Sequence, residues 1–419
     1  MRKSLAVGLV TCTLVAGGCA ADSTSETTAE PTQSVTDEST PPEIQIWADP
    51  AHYKALDDTA ADYLARTGVD VIVVEKDLSK IQEEMVEFAP QGSGPDLFVG
   101  QGDWVGTFED GGLISPVSLG EKAGSFRDVS TAAFQYEGKS YGVPLITENL
   151  ALLRNTALAP EAPKSIEDMA SAGLALKKAG KVDLPIALPV GKHGDAYHWY
   201  PMYSAAGGYI YGQEADGSYD ESDLGVGKEG SVAAAAQLAK LADQGAIDSD
   251  TSAGEATDAF AAGKAAFLIA GPWAVAPAQK AGIPVAVGPV PGFASIKGSS
   301  SQAMVESEGL MLSAFAPNAE AAEQYLADTV MTTAFMDAIH KADTRAPAWA
   351  ESYTKAAADP ITKAFADYAD ASEATPTLPT MEEVWTALSD AELDVIAGKD
   401  PEKTMKTAKE EITEAAKTS

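Results

Sequence analysis

Acidic and aromatic residues recur in this chain where apolar runs break off. Leu97-Phe98-Val99 runs into Gly100-Gln101-Gly102-Asp103-Trp104, and a core needs none of those five. Glycines there could cradle a phosphate. A P-loop, however, ends in Gly-Lys-Ser/Thr, and a dinucleotide loop needs a third glycine. This chain has Val105 instead, and no Lys or Arg before Lys122. An acidic, aromatic loop repels phosphate and suits a neutral, hydroxyl-rich ligand. The glycines then give the ligand access and Asp103 accepts its hydroxyl hydrogens. Similar residues close other elements: Asp49, Glu148, Asp195 with Tyr197, Trp273 after Gly271-Pro272, and Trp385. Charged acceptors bind sugar hydroxyls strongly, and flat rings stack on the apolar faces of pyranoses. As a set they predict a carbohydrate cleft.

Other chemistries fit less well. Gly138-Lys139-Ser140-Tyr141-Gly142 matches G-x-S-x-G, but that nucleophile elbow joins a strand to a helix. Here Glu137-Gly138 reads as a hairpin turn, and "SYGVPLI" continues as strand. His193 and His198 flank Asp195 at a spacing that does not share one helical face, and no Cys or Glu cluster completes a metal-ligand set. His52 and His340 lie far off in the chain. No metal and no cofactor is expected. A glycosidase needs two carboxyl groups about 5–10 Å apart, one with a raised pKa, and sequence spacing does not supply that.

The elements that must hold these residues follow a regular order. "IQIWAD" reads as strand, and residues 51–68 as a helix with Tyr53, Leu56, Ala60, Tyr63 and Leu64 on one face, stopped by Gly68. "VDVIVVE", "LSKIQEEMVEFA" and "DLFVG" follow as strand, helix and strand. This βαβαβ order predicts a parallel sheet with covering helices. Ligands of such sheets bind beyond the carboxyl ends of the strands, which is where Asp49 and Asp103 stand. At 419 residues the chain exceeds one core and predicts two domains. The formal charge of −33 disfavours nucleic acid and anionic lipid as partners.

The N-terminus points outside the cell. Arg2 and Lys3 precede an apolar stretch from Leu5 to Val15, then Ala16-Gly17-Gly18-Cys19. This resembles a bacterial lipoprotein signal: residues 1–18 are removed and Cys19 is lipidated, with Ala16 where leucine is usual. Cys12 is lost with the signal, so the mature chain forms no internal disulfide. Residues 19–42, rich in Ser, Thr and acids, read as a disordered tether.

Taken in order, "IQIWAD", "GSGPDLFVGQGDW", "YEGKSYGVPLITENLALLRN", "WYPMYSAAGGYIY", "KAAFLIAGPWA" and "PTLPTMEEVWTAL" resemble the maltose/maltodextrin-binding proteins of ATP-driven sugar importers, within the wider class of extracellular solute-binding proteins. The resemblance runs from about Pro42 to the C-terminus. It implies a two-lobed α/β periplasmic-binding-protein-like fold, each lobe a mostly parallel sheet with helices on both faces. The N-terminal lobe takes residues 43–149 and 303–330, and the C-terminal lobe takes 150–302 and 331–419. Sugar binds between the lobes. The resemblance implies Asp49, Asp103 and Glu148 as hydroxyl acceptors in the first lobe, with Trp104 beside them. Asp195 and Tyr197 serve the second lobe, and Trp273 and Trp385 are further platforms. Members of the family carry an aromatic ring where Gly100 stands and an arginine where Trp104 stands. The last tryptophan is commonly followed by a tyrosine and an arginine, against Thr386 and Ser389 here. Acceptors are kept and donors lost, so the sugar is left open between maltodextrin, maltose and another α-glucoside such as trehalose. Glu306 and Glu308 are unusual acids near a crossing segment, open to a binding role or a solvated face. The implied protein is a monomeric receptor that delivers sugar to the permease of an ABC importer, sits on the membrane through its lipid, and is no enzyme. A surface glycosidase and a metal- or peptide-binding lipoprotein are the rivals from other classes.

Overall fold

A computed structural model describes residues 42–213, 219–343 and 345–417. The signal segment, Cys19 and nearly all of the tether lie outside the described residues. The first strand, β1 (Glu43–Ala48), is followed by helices α1 (Pro50–Asp57) and α2 (Ala60–Thr67), strand β2 (Asp70–Glu75), helix α3 (Leu78–Phe88) and strand β3 (Leu97–Gln101). β1 pairs in parallel with both β2 and β3, as the βαβαβ order predicts. The single helix expected over 51–68 is two helices, because the chain turns at Asp58-Thr59 and Thr59 Oγ1 donates to the Leu56 carbonyl. Gly68 ends the second helix with φ +76°, the left-handed cap that glycine adopts without strain. Leu64, expected on the inner face, is 37% exposed.

Antiparallel strands extend this parallel core. Strand β4 (Gly142–Asn149) runs directly into β5 (Ala151–Asn155), with only Leu150 between them. β4 joins the large sheet, whereas β5 pairs with β6 (Phe267–Ala270) and β7 (Val285–Gly288) in a second sheet. Strand β8 (Met304–Ser313) returns to the large sheet between β3 and β4, antiparallel to both. The large sheet thus holds a parallel first half and antiparallel additions, whereas the strand pairs of the second sheet, expected mostly parallel, are antiparallel. Around Ser140 the chain forms a two-stranded hairpin turned by Glu137 (φ +47°) and Gly138 (φ +74°), then β4. No helix follows the serine, so the hydrolase elbow is absent.

Apolar side chains pack on both faces of each sheet, with the edge strands β2 and β7 only half-buried. In the large sheet Ile44, Ile46, Leu97, Val99, Leu310 and Leu312 pack on one face, and Trp47, Phe98 and Met311 on the other. In the second sheet Leu152 packs on one side, and Ala151 and Leu153 on the other. Each large apolar side chain buried this way contributes about 1.5–3 kcal/mol. One boundary differs from expectation. Met331, Phe335, Met336 and Ile339, the last three on helix α5 (Thr333–Ala342), pack with Trp349 in the core of the large sheet. Residues 331–349, expected with the C-terminal lobe, therefore pack with the N-terminal elements. The C-terminus forms helices α6 (Met381–Ile396) and α7 (Pro401–Ala415), broken at Gly398 as predicted.

Candidate functional site

The site starts at the end of β1. Asp49 caps α1, its Oδ2 accepting the Ala51 amide at 3.0 Å, while Oδ1 lies 2.5 Å from His52 Nδ1. Burial alone would raise the Asp49 pKa, but the bond to His52 and that ring's charge lower it overall. Burial opposes charging of His52 too, and is outweighed by Asp49 and Glu308, so its pKa is raised. Each partner thus favours the charged form of the other.

Glu308 continues the network from β8, with Oε2 3.6 Å from His52 Nδ1. Arg345 grips Glu308 with both arms, Nη1–Oε1 at 2.6 Å and Nη2–Oε2 at 3.0 Å. Its Nη1 also reaches Glu148 Oε2 at 2.8 Å, and its Nε reaches Asp343 Oδ2 at 2.6 Å. One guanidinium thus answers three carboxylates, a task suited to its fixed fork of five N–H donors. Atoms of Asp49, His52 and Glu308 approach within 4.8 Å of one another. Asp49 is bonded to His52 and Glu308 to Arg345, while His52 Nε2 is buried without a partner among the described residues.

The register of the sheet brings acids together. Glu306 stands opposite Glu148 in the β8–β4 pairing. Glu308 stands opposite Gln101, the last residue of β3, in the β8–β3 pairing. Asp103 follows in the single 3-10 turn Gly102–Trp104, near enough for its charge to act on Glu306. Asp103 Oδ1 is buried with no hydrogen-bond partner among the described residues, and burial raises its carboxyl to about 6. Glu306 accepts a bond from Thr375 Oγ1 on Oε1, while Oε2 is buried and unpartnered.

Helix α4 (Ala196–Ala205) carries the second group. Asp195 caps it, with Oδ1 accepting the His198 amide at 3.1 Å and Oδ2 2.8 Å from His198 Nδ1. The helix start is gripped by α6, whose Trp385, Ser389 and Glu392 share one face at i, i+4 and i+7. Glu392 Oε2 accepts the Asp195 amide at 2.6 Å, and Ser389 Oγ accepts the Ala196 amide at 3.2 Å. Gly194 allows this approach, because a Cβ there would meet the Ser389 carbonyl oxygen at 2.2 Å. Tyr197 projects its hydroxyl into the site, where the oxygen is buried and unpartnered. Burial, then the charges of Glu148, Glu306, Asp195 and Asp103, push its pKa well up. That one hydroxyl sits among four carboxylates, three of them expected from the sequence and the fourth, Glu306, left open there.

Rings complete the walls. Trp385 meets Tyr197 edge to face at 6.1 Å, and Trp273 meets His198 at 6.3 Å. Trp273 is 42% exposed and folds back over Gly271, where a Cβ would collide with the indole at 2.0 Å. Ala51, Glu148, Trp273, Ala342, Asp343 and Arg345 line a cavity of about 340 Å³. A cavity of about 230 Å³ beyond Pro272, with Val275, Ile361 and Phe365 on its walls, carries none of the site acids.

Asp49, Asp103, Glu148, Asp195, Tyr197, Trp273, Glu308 and Trp385 are therefore linked through one connected set of contacts and charges. Trp104 is not part of it. Its ring is 6% exposed and packs 5.7 Å from Phe108 in the core. The loop glycines also serve packing and not ligand access, since a Cβ on Gly102 would meet the Ala133 carbonyl oxygen at 2.2 Å. Sequence reasoning missed Arg345, Asp343 and Glu392 altogether. Arg345 sits in a segment with no periodicity, where only its closeness to Asp343 gave a signal.

Glu392 has a consequence for stability. It is fully buried, Oε1 has no partner, and burial raises its carboxyl to about 8. The unfolded chain releases this proton near 4.5, so between those values the native state holds one proton more. Stability must then fall as pH rises through that window. Glu392→Gln is expected to remove this fall, giving a flatter melting temperature from about pH 5 to 8. Parallel wild-type and variant curves would refute it.

An α/β protein built on two main sheets, with acceptors, rings and a cavity gathered at strand and helix ends, has the build of a ligand receptor. The profile of bacterial extracellular solute-binding proteins matches residues 58–388, and the chain belongs to that family. A galactooligosaccharide-binding protein of Bacillus subtilis is 30% identical over 380 residues, 88% of each chain. The maltodextrin-binding protein MdxE of the same organism is 26% identical over 343 residues, 79% of each chain. A crystal structure of a cyclo/maltodextrin-binding protein complexed with maltotetraose superposes with a TM-score of 0.78 at 25% identity, covering 91% of this chain and 98% of that one.

Proposed function

We propose that this protein captures an oligosaccharide of the maltose/maltodextrin class outside the cell and hands it to the permease of an ABC importer, anchored to the membrane through a lipid on Cys19. The carrying observation is a set of buried polar atoms without protein partners beside two cleft rings. Asp103 Oδ1, Tyr197 Oη, His198 Nε2 and Glu306 Oε2 are all of this kind. A buried polar group left unpaired costs about 1–3 kcal/mol, so four in one site suit a hydroxyl-rich ligand that pairs them all. Trp273 and Trp385 offer the faces on which pyranoses stack. Residues 43–149 and 303–349 form one lobe in this reading, and Leu150 and the segment before Met304 are the crossings about which the lobes close. The protein binds its ligand and does not cleave it.

A galactooligosaccharide is the second reading, favoured by the relative of that name at 30% identity. Calorimetry with maltotetraose, trehalose and a galactotetraose separates the two, with the tightest binding expected for maltotetraose. Binding of none would refute the receptor reading, and a galactotetraose preference would replace the first with the second. Chromatography after long incubation should show no shortened sugar. Cys19→Ser should leave binding intact and release the protein from washed membranes; a variant still membrane-bound sinks the anchor.

A further inference from the structure

Glu306 faces Glu148 directly across neighbouring strands, and Asp103, in the turn after β3, brings a third carboxylate whose charge reaches Glu306; the arrangement is destabilising when all are charged. Only one of the three has a cation. Glu148 shares Arg345, which is also held by Glu308 and Asp343. Neither Glu306 nor Asp103 forms an ion pair with any described residue. The other groups facing Glu306 bring no positive charge. Glu308 lies two residues along its own strand, Tyr197 comes from α4, Tyr219 from the strand Tyr219–Leu224, and Thr375 donates to Oε1.

Adjacent carboxyl groups removed from water do not both ionise, and one proton is kept between them. The hydrogen bonds say where. Oε1 of Glu306 already accepts the Thr375 hydroxyl hydrogen, which leaves Oε2, the buried oxygen with no protein partner, as the seat of the proton. We propose that Glu306 is held as the neutral carboxylic acid with its proton on Oε2, and that it serves the bound oligosaccharide as a hydrogen-bond donor beside the acceptor Asp103. This rests on the oligosaccharide reading above. Burial and the charge of Asp103 both push the Glu306 carboxyl well above its ordinary range, in keeping with the geometry. The site is otherwise rich in acceptors, so Glu306 supplies a donor that a sugar ring or glycosidic oxygen needs. Donor and acceptor side by side can read a single hydroxyl in both its roles.

The sign for binding follows. If the protonated form binds, affinity falls as pH rises through the raised pKa, by up to about tenfold per pH unit once the proton is lost. Maltotetraose titrations of the intact protein from about pH 7 to 9, above the range in which Asp103 takes up its own proton, should show that fall. In Glu306→Gln, whose amide also donates, binding should persist and no longer vary with pH, whereas Glu306→Ala should lose it. A flat wild-type profile, or a folded Glu306→Gln variant that binds more than about a hundredfold more weakly at every pH, overturns the proposal. Infrared difference spectra of the ligand-free protein test it without sugar: wild type minus Glu306→Gln should show a protonated carboxyl band at neutral pH. A carboxylate band in its place refutes it. Failure of maltotetraose to bind wild type at any pH strikes the oligosaccharide reading, and the infrared result then still decides the state of Glu306.

Discussion

Arg345→Ala is expected to destabilise the ligand-free protein by about 3–5 kcal/mol, the loss seen when one partner of a buried ion pair is removed. The side chains left behind are 5% exposed at Glu308, 11% at Glu148 and 10% at Asp343. Each would keep its desolvation penalty without the charge that offsets it. The variant should recover part of the deficit as pH falls, because its uncompensated acids take up protons more readily than those of wild type. Arg345→Lys restores charge but not the two-armed grip on Glu308, and should recover only part of the loss. Urea unfolding at pH 5 and pH 7.5 measures both effects. A midpoint for Arg345→Ala equal to wild type would mean that the network adds nothing to stability.

Trp273→Ala should behave in the opposite way. The indole is 42% exposed and lies over Gly271, outside the packed cores. Removing it should leave the melting temperature of the ligand-free protein nearly unchanged. If the ring carries a sugar, affinity for maltotetraose should drop by about 2–3 kcal/mol, roughly 30- to 150-fold. Calorimetry beside a thermal melt separates the two quantities. Unchanged affinity in the folded variant removes Trp273 from the site; a large fall in melting temperature would make it a structural residue. Trp104, similar in its sequence setting, is the contrast, being buried against Phe108.

Local pattern was sufficient for some features of this chain and silent on others. The alternating apolar strands, the Gly68 cap and the hairpin at Glu137-Gly138 were legible because they depend on nearest neighbours: side-chain period, and the backbone freedom of one residue. The break at Asp58-Thr59 was missed, since the helical periodicity continues across it. Asp49, Asp103 and Glu148 could be picked out because acids that end apolar strands have no packing role. Trp104 and Trp273 looked alike by the same rule, yet one is core and the other lines the cavity. Only the packing of Phe108 and Gly271 around them decides that.

The sequence by itself determined the class of architecture, the kind of chemistry available and most of the acceptors. These follow from residue type, from periodicity and from the order of motifs along the chain. The tertiary structure decided how the charges are answered. Arg345 meets Glu148 across 197 residues, and Glu392 meets Asp195 across the same separation. Glu306 faces Glu148, close to Asp103, only because β8 returns between β3 and β4 in one particular register. A one-residue slip would turn Glu306 and Glu308 to the other face. Charge interactions depend on distance and burial in space, and neither is encoded at any fixed separation in the chain.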